Sequence, residues 1–209
     1  MLARALLLTA VAVAALAPPA SATTLKTVAG TTVPSGGSFS GSLKSGTAWH
    51  LEGGAAGDID CSTSTVGGTI GTNPSTPSVA GSLTSLTFAN CTDTIPFVTV
   101  SCVYSNVGAG ANAKTLTWTY VPTGSTWTWS GVEITVCFSN GSTCVYQPTG
   151  ATATATHNSN TSPWNNEYAF NQGWLTKVGG TFALCPSSNV TWTATYLLTS
   201  GGSAITIQP

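Results

Sequence analysis

Charge is the scarcest feature of this sequence. Its 209 residues include five Lys+Arg and six Asp+Glu, 5% of the chain, where an ordinary soluble domain has about 25%. A nucleic-acid partner demands a basic footprint, and none is present. Disorder couples high net charge to few aromatics, whereas the formal net charge here is -1 and there are 7 Trp, 5 Tyr and 6 Phe. Glu, Lys, Ala and Leu at helical spacing are also lacking, which excludes a coiled coil or long helical bundle. Gly, Ser and Thr fill the places that charges would take, and the hydrophobic share, 42%, is ordinary.

The N-terminus has the three parts of a secretory signal peptide: Arg4, an apolar run from Ala5 to Ala17, and the small-residue end Ala20-Ser21-Ala22. The run is too short to span a bilayer as a stable helix. Cleavage after Ala22 removes Arg4, the one arginine, and leaves residues 23–209 as a single exported domain with Lys26, Lys44, Lys114 and Lys177 as its cations. The C-terminal Ser203–Pro209 has neither an apolar anchor nor a basic tail, so the mature chain is expected outside the cell without a membrane span. A surface so poor in charge steers charged partners weakly. The expected partner is therefore a neutral polysaccharide, a cell-wall glycan or another protein, and no motif calls for a cofactor.

All six Cys (Cys61, Cys91, Cys102, Cys137, Cys144 and Cys185) lie after the leader. An even count in an oxidising compartment reads as three disulfides. The run from Cys137 to Cys144 centres on Asn140-Gly141, a strong two-residue hairpin signal. With those two residues at the turn, Cys137 faces Cys144 at a separation a disulfide tolerates. The preferred pairs for the rest are Cys61 with Cys91, closing a local loop, and Cys102 with Cys185, tying the last part of the chain to the middle. Zinc fails on spacing, since there is no Cys-x-x-Cys or nearby His pair.

Period-2 alternation dominates the mature chain. Leu116-Thr117-Trp118-Thr119-Tyr120 and Val190-Thr191-Trp192-Thr193-Ala194-Thr195-Tyr196 put large apolar residues on one parity and hydroxyls on the other, a strand with one buried and one wet face. Further strands are expected near 24–33, 38–43, 59–64, 83–89, 96–104, 132–138, 144–147, 167–175, 180–184 and 203–207. Ala151–Thr156 reads as a flexible connection or an exposed edge strand, and its alternation of Thr with Ala favours the strand. Many short strands without helices predict an all-β fold, an antiparallel sandwich or barrel-like body stapled by disulfides. A seam between two halves is best placed at 108–112, where Gly108-Ala109-Gly110 interrupts the pattern.

Candidate chemistry is sparse. Nucleophilic hydrolysis lacks a Gly-x-Ser-x-Gly elbow, and His50 and His157 read as surface or structural residues. Glycoside hydrolysis needs two carboxylates flanking the bond; Glu133 and Glu167 are the two Glu in strand-like contexts. A calcium site would draw on Asp58 and Asp60, which share a strand face, with Asp93 approaching if Cys61 and Cys91 are bonded. Trp118 and Trp192 fall on the apolar parity and read as core. Extending the alternation back from Val132, Ile134, Val136 and Phe138 puts Trp127 and Trp129 on the opposite, outward face, an indole platform for sugar rings or a protein. A bulge at Ser130-Gly131 would instead turn both inward. Trp164 and Trp174 flank an Asn-rich segment and would extend the platform.

Ile59-Asp60-Cys61-Ser62-Thr63-Ser64 through Gly68-Thr69-Ile70, followed by Ser85-Leu86-Thr87-Phe88-Ala89-Asn90-Cys91-Thr92, resembles small exported proteins of actinobacterial type. In these a Cys-Ser strand and a Thr-Phe-x-x-Cys strand frame a loop. The likeness covers about the first half of the mature chain and implies an exported β fold with Cys61 bonded to Cys91. That group has no assigned activity. The sequence thus points to a secreted, non-catalytic protein of an extracellular surface or matrix, with a carbohydrate-binding module as the second reading and a small glycoside hydrolase as the third.

Overall fold

The computed structural model describes residues 22–53, 57–108, 113–121, 125–157, 166–183, 185–186 and 190–208. The leader up to residue 21 and most of the 108–112 seam lie outside them. Fourteen strands follow in order: β1 (Thr24–Thr27), β2 (Ser38–Leu43), β3 (Trp49–Glu52), β4 (Asp58–Ile70), β5 (Val79–Asp93), β6 (Val100–Ser105), β7 (Leu116–Val121), β8 (Thr126–Ser130), β9 (Ile134–Phe138), β10 (Thr143–Pro148), β11 (Thr152–His157), β12 (Glu167–Gly179), β13 (Val190–Ser200) and β14 (Ser203–Gln208). Every ladder between them is antiparallel. The all-β, disulfide-stapled reading holds.

Eight of the strands close on themselves. The ladders run β2–β4–β5–β7–β8–β11–β12–β13 and return to β2, which removes the sheet edges of that barrel. Four strands are long, with 13 residues in β4, 15 in β5, 13 in β12 and 11 in β13. Their far ends continue into a second storey. There β3 bridges β13 and β4, β10 pairs with the end of β12, β9 with β10, and β6 with β9. Bulges mark where a long strand changes neighbour. One falls in β5 between Leu83 and Ser85, at the switch from β7 to β6. Another falls in β12 between Gln172 and Leu175, at the switch from β11 to β10. A bulge bends a strand and re-aims it, so each long strand serves both storeys.

Aromatic residues fill the interior. Phe170 and Trp192 stack 5.2 Å apart with planes at 2°, Trp129 lies 4.2 Å from Phe170, and Trp127 packs edge-on against Trp129 at 5.1 Å. Tyr196 reaches Ser64 Oγ at 2.7 Å, and Ser64 donates to Thr87 O. At one end, buried Asn73 donates to Leu25 O and Val33 O and accepts from Leu25 N, holding β1 and the segment after it in place.

Three expectations about local structure are corrected. Thr152–His157 is a strand, but an interior one, paired with β8 and β12. Ala153 and Ala155 are fully buried because large side chains of the neighbouring strands fill the space beside them. Residues 180–183 form no strand; Gly180, at φ 110°, turns the chain out of β12. The Asn140-Gly141 hairpin has a three-residue loop, because Thr143 pairs with Cys137 and Cys144 with Val136, and Gly141 sits at φ 80°, the left-handed position such loops require. That one-residue difference puts Cys137 and Cys144 on opposite faces, so they do not bond. Cys137 instead faces Cys102 across the β6–β9 ladder and bonds to it, and Cys144 bonds to Cys185. Cys102 and Cys185 are therefore not partners. Cys61 and Cys91, opposed in the β4–β5 ladder, are bonded as expected.

Candidate functional site

Of the two placements the sequence allows for Trp127 and Trp129, the inward one holds: the break at Ser130-Gly131 turns both into the core. Trp127 is 2% exposed and Trp129 0%. Gly131 takes φ 79° between β8 and β9, so the strand breaks and its parity resets; Val132, Ile134, Val136 and Phe138 point inward as well. Trp164 lies outside the described residues. Trp174 falls within β12, and the position of its side chain is likewise outside them. Trp118 and Trp192 are core, as expected.

The two candidate glycosidase carboxylates are far apart. Glu133 precedes β9; its N–H donates to Asn106 Oδ1 and its carbonyl accepts from Asn106 N. Ile134 pairs with Tyr146, and Tyr146 with Lys177. Glu167 lies at the other end of β12, about 30 Å of strand from Lys177 at ~3.3 Å per residue. Glycosidase pairs sit within about 5–10 Å. Glu167 instead forms an ion pair with Lys44 at 2.7 Å.

Nor do the three aspartates converge. In the β4–β5 register Asp93 opposes Ile59, and directly opposed residues share a face, whereas Asp58 and Asp60 lie on the other parity. Asp93 clasps the turn between β5 and β6, accepting from Ile95 N at 3.1 Å and Val100 N at 2.6 Å. Asp60 binds His50 Nδ1 at 2.7 Å, and Asp58 accepts from Gly53 N. Among the described residues no group of three or more His, Cys, Asp or Glu is arranged to hold a metal ion. His157 closes the end of β11, 2% exposed, with its ring stacked on Tyr168 at 4.6 Å.

Two surface features remain. On the outer wall of the upper barrel, cross-strand rows run Leu197–Ser42–Thr65–Thr87 and Thr199–Ser40–Gly67–Ser85. Hydroxyls bond across them, Ser40 with Thr199 at 3.1 Å and Thr65 with Thr87 at 2.6 Å. Gly67 leaves a gap in the second row, where a Cβ would meet Ser85 Oγ at 2.6 Å, and an uncharged groove of about 740 Å³ lies over these strands. The second feature is a seam. Beyond Leu83, β5 runs beside β6 with no ladder between them among the described residues. Grooves of about 640 and 220 Å³ open along it, lined among the described residues by β5, β6 and the two or three residues after β6. The sequence shows neither feature, because each depends on which strands become neighbours.

No protein family, no curated protein and no solved structure matches this chain. Function has to be argued from the geometry.

Proposed function

We propose that the mature chain is exported and acts outside the cell as a non-catalytic binding protein for a neutral partner. The observation that carries this reading is the outer wall: cross-strand rows of Ser and Thr over an uncharged groove, on a body closed by three disulfides. Disulfides persist in oxidising compartments, and the signal-like leader fits that setting. Hydroxyl rows present donors and acceptors without net charge, so binding to them rests on short-range hydrogen bonding and shape. Glu133 and Glu167 stand too far apart to flank one bond, and Trp127 and Trp129 are buried, so neither pair supports the hydrolase or the indole-platform reading.

The test is retention. The protein starting at Thr23, incubated with insoluble cell-wall and matrix material, should sediment with it. Raising NaCl to about 0.5 M, where the Debye length is only a few ångströms, should leave the bound fraction unchanged. Protein that stays in the supernatant, or that releases reducing ends or peptides from the material, overturns the reading.

A further inference from the structure

We propose that the groove over β2 and β4 binds a neutral oligosaccharide segment laid along the two strands and held through side-chain hydroxyls. This rests on the binding function above and names the class of ligand.

The wall excludes other occupants in turn. Over Ser38–Ser42 and Thr65–Thr69 both strands are interior: β2 is laddered to β4 and β13, and β4 to β2 and β5. Their main-chain N–H and C=O groups are already paired, so no peptide adds there as a strand. Five large hydrophobic residues are exposed among those described, Val28, Phe97, Tyr104, Val121 and Val178, and none of them lines the groove. An apolar helix or a lipid chain would find no anchor. None of the lining residues is charged. Lys44, just past β2, and Glu167, at the start of β12, neutralise each other at 2.7 Å. An ionic ligand would therefore lose hydration without gaining a counter-charge.

What the wall offers is hydroxyl groups. Ser40 is engaged with Thr199, and Thr65 with Thr87. The hydroxyls of Ser38, Ser42, Thr69 and Ser85 bond no other described residue. Each hydroxyl donates once and accepts twice, the same capacity as a sugar hydroxyl, so the two sets can pair in either sense. Their placement is regular: Ser38 faces Thr69, Ser42 faces Thr65, and Gly67 lies between Ser40 and Ser85. From Ser38 to Ser42, four steps at ~3.3 Å give about 13 Å, the length of a short oligosaccharide. The groove's volume, about 740 Å³, is within the range of small-ligand sites. At its centre the register slips between Gly67 and Gly68, and such a bulge bends the strand. Gly67 also leaves the floor clear at that point, since a Cβ there would stand 2.6 Å from Ser85 Oγ.

The experiment titrates the isotopically labelled chain starting at Thr23 with soluble cello-, chito-, xylo-, malto- and laminaritetraose. Each is taken to about 10 mM, a range set by the modest net strength of solvent-exposed hydrogen bonds. The expected result is that at least one of them shifts amide resonances confined to residues 38–42, 65–69, 84–85 and 197–199. S42A and S85A remove hydroxyls that have no protein partner. Each should weaken binding about fivefold, the effect of losing one hydrogen bond, and leave Tm unchanged. G67T, at a position whose φ is not positive, fills the floor and should abolish the shifts in a chain that still melts cooperatively. No shift with any of the five, shifts elsewhere on the surface, wild-type affinity in both Ser variants, or tighter binding of an uncharged Ser/Thr peptide at the groove overturns the oligosaccharide site. A chain retained on wall and matrix material but inert to every tetraose loses only this inference; one that binds a tetraose but is not retained loses only the extracellular function.

Discussion

Trp129→Ala separates a structural indole from a ligand platform. The side chain is fully buried and touches Trp127, Phe170, Trp192 and Tyr196 with ring centroids 4.2–6.1 Å apart. Truncating such a residue removes its transfer free energy and leaves a void that its four aromatic neighbours are too rigid to fill, a cost of about 3–5 kcal/mol. At about 2–4 °C per kcal/mol for a domain of this size, Tm should fall by about 6–20 °C. Calorimetry gives the shift, and acrylamide quenching of the wild type checks the premise, because buried indoles are shielded from the quencher. A platform residue behaves differently: an exposed Trp→Ala changes stability within about ±0.5 kcal/mol and shows its effect in ligand binding. A Tm within 2 °C or so of wild type, with lost affinity for a glycan, would refute the core assignment.

Four further outcomes follow from the same structure. Asn73→Leu deletes three buried bonds to Leu25 and Val33 and should cost about 3 kcal/mol at roughly 1 kcal/mol per bond, read by urea denaturation; a loss below about 1 kcal/mol denies Asn73 its role as the tie for β1. Non-reducing peptide mapping should recover Cys102 with Cys137 and Cys144 with Cys185, and a linked 137/144 fragment would reject the three-residue hairpin loop. Removing Cys144–Cys185, which closes 41 residues, should cost about 4 kcal/mol by loop entropy, measured as the difference in unfolding free energy between wild type and the double Ala variant. Alkaline pH should destabilise the fold. Burial raises the phenols of Tyr146, Tyr168 and Tyr196 above their ordinary value of 10.0, so their ionisation works against the folded state: below about pH 10 both states are protonated and stability is intact, and above it the unfolded chain ionises first. Tm should therefore be independent of these groups below that pH and drop beyond it, with tyrosinate absorbance appearing together with unfolding.

Local alternation was readable wherever a strand has one wet face and one dry one. Leu116–Tyr120 and Val190–Tyr196 show it, with Trp118, Trp192 and Tyr196 buried as their parity demands. What period 2 does not contain is a phase reset. Gly131 changes parity between Trp129 and Val132, and the third loop residue after Phe138 changes it between Cys137 and Cys144. Both resets have one physical cause: a single left-handed residue moves every later side chain to the other face, and a Gly permits that conformation without requiring it; the reset at Ser130-Gly131 is the alternative the sequence left open, and the one at Gly141 was missed. Trp49–Glu52 was not legible as a strand because four residues are too few to display a period. Its strand character comes from β13 and β4 on either side.

Long strands hide in sequence for the opposite reason. β5 reads as separate pieces because its burial rhythm skips a beat between Leu83 and Leu86, yet that skip is the bulge that hands the strand from β7 to β6. The same bend accounts for the seam. β7 follows the upper barrel while the rest of β5 turns toward the lower storey, where β6 is already committed to β9 through a ladder and a disulfide. β6 is thus held by β9 on one side and β5 by β4 on the other, and the two run side by side, linked by Ser105 Oγ donating to Leu86 O at 2.8 Å. The missing ladder is thus a consequence of how the two storeys share their strands.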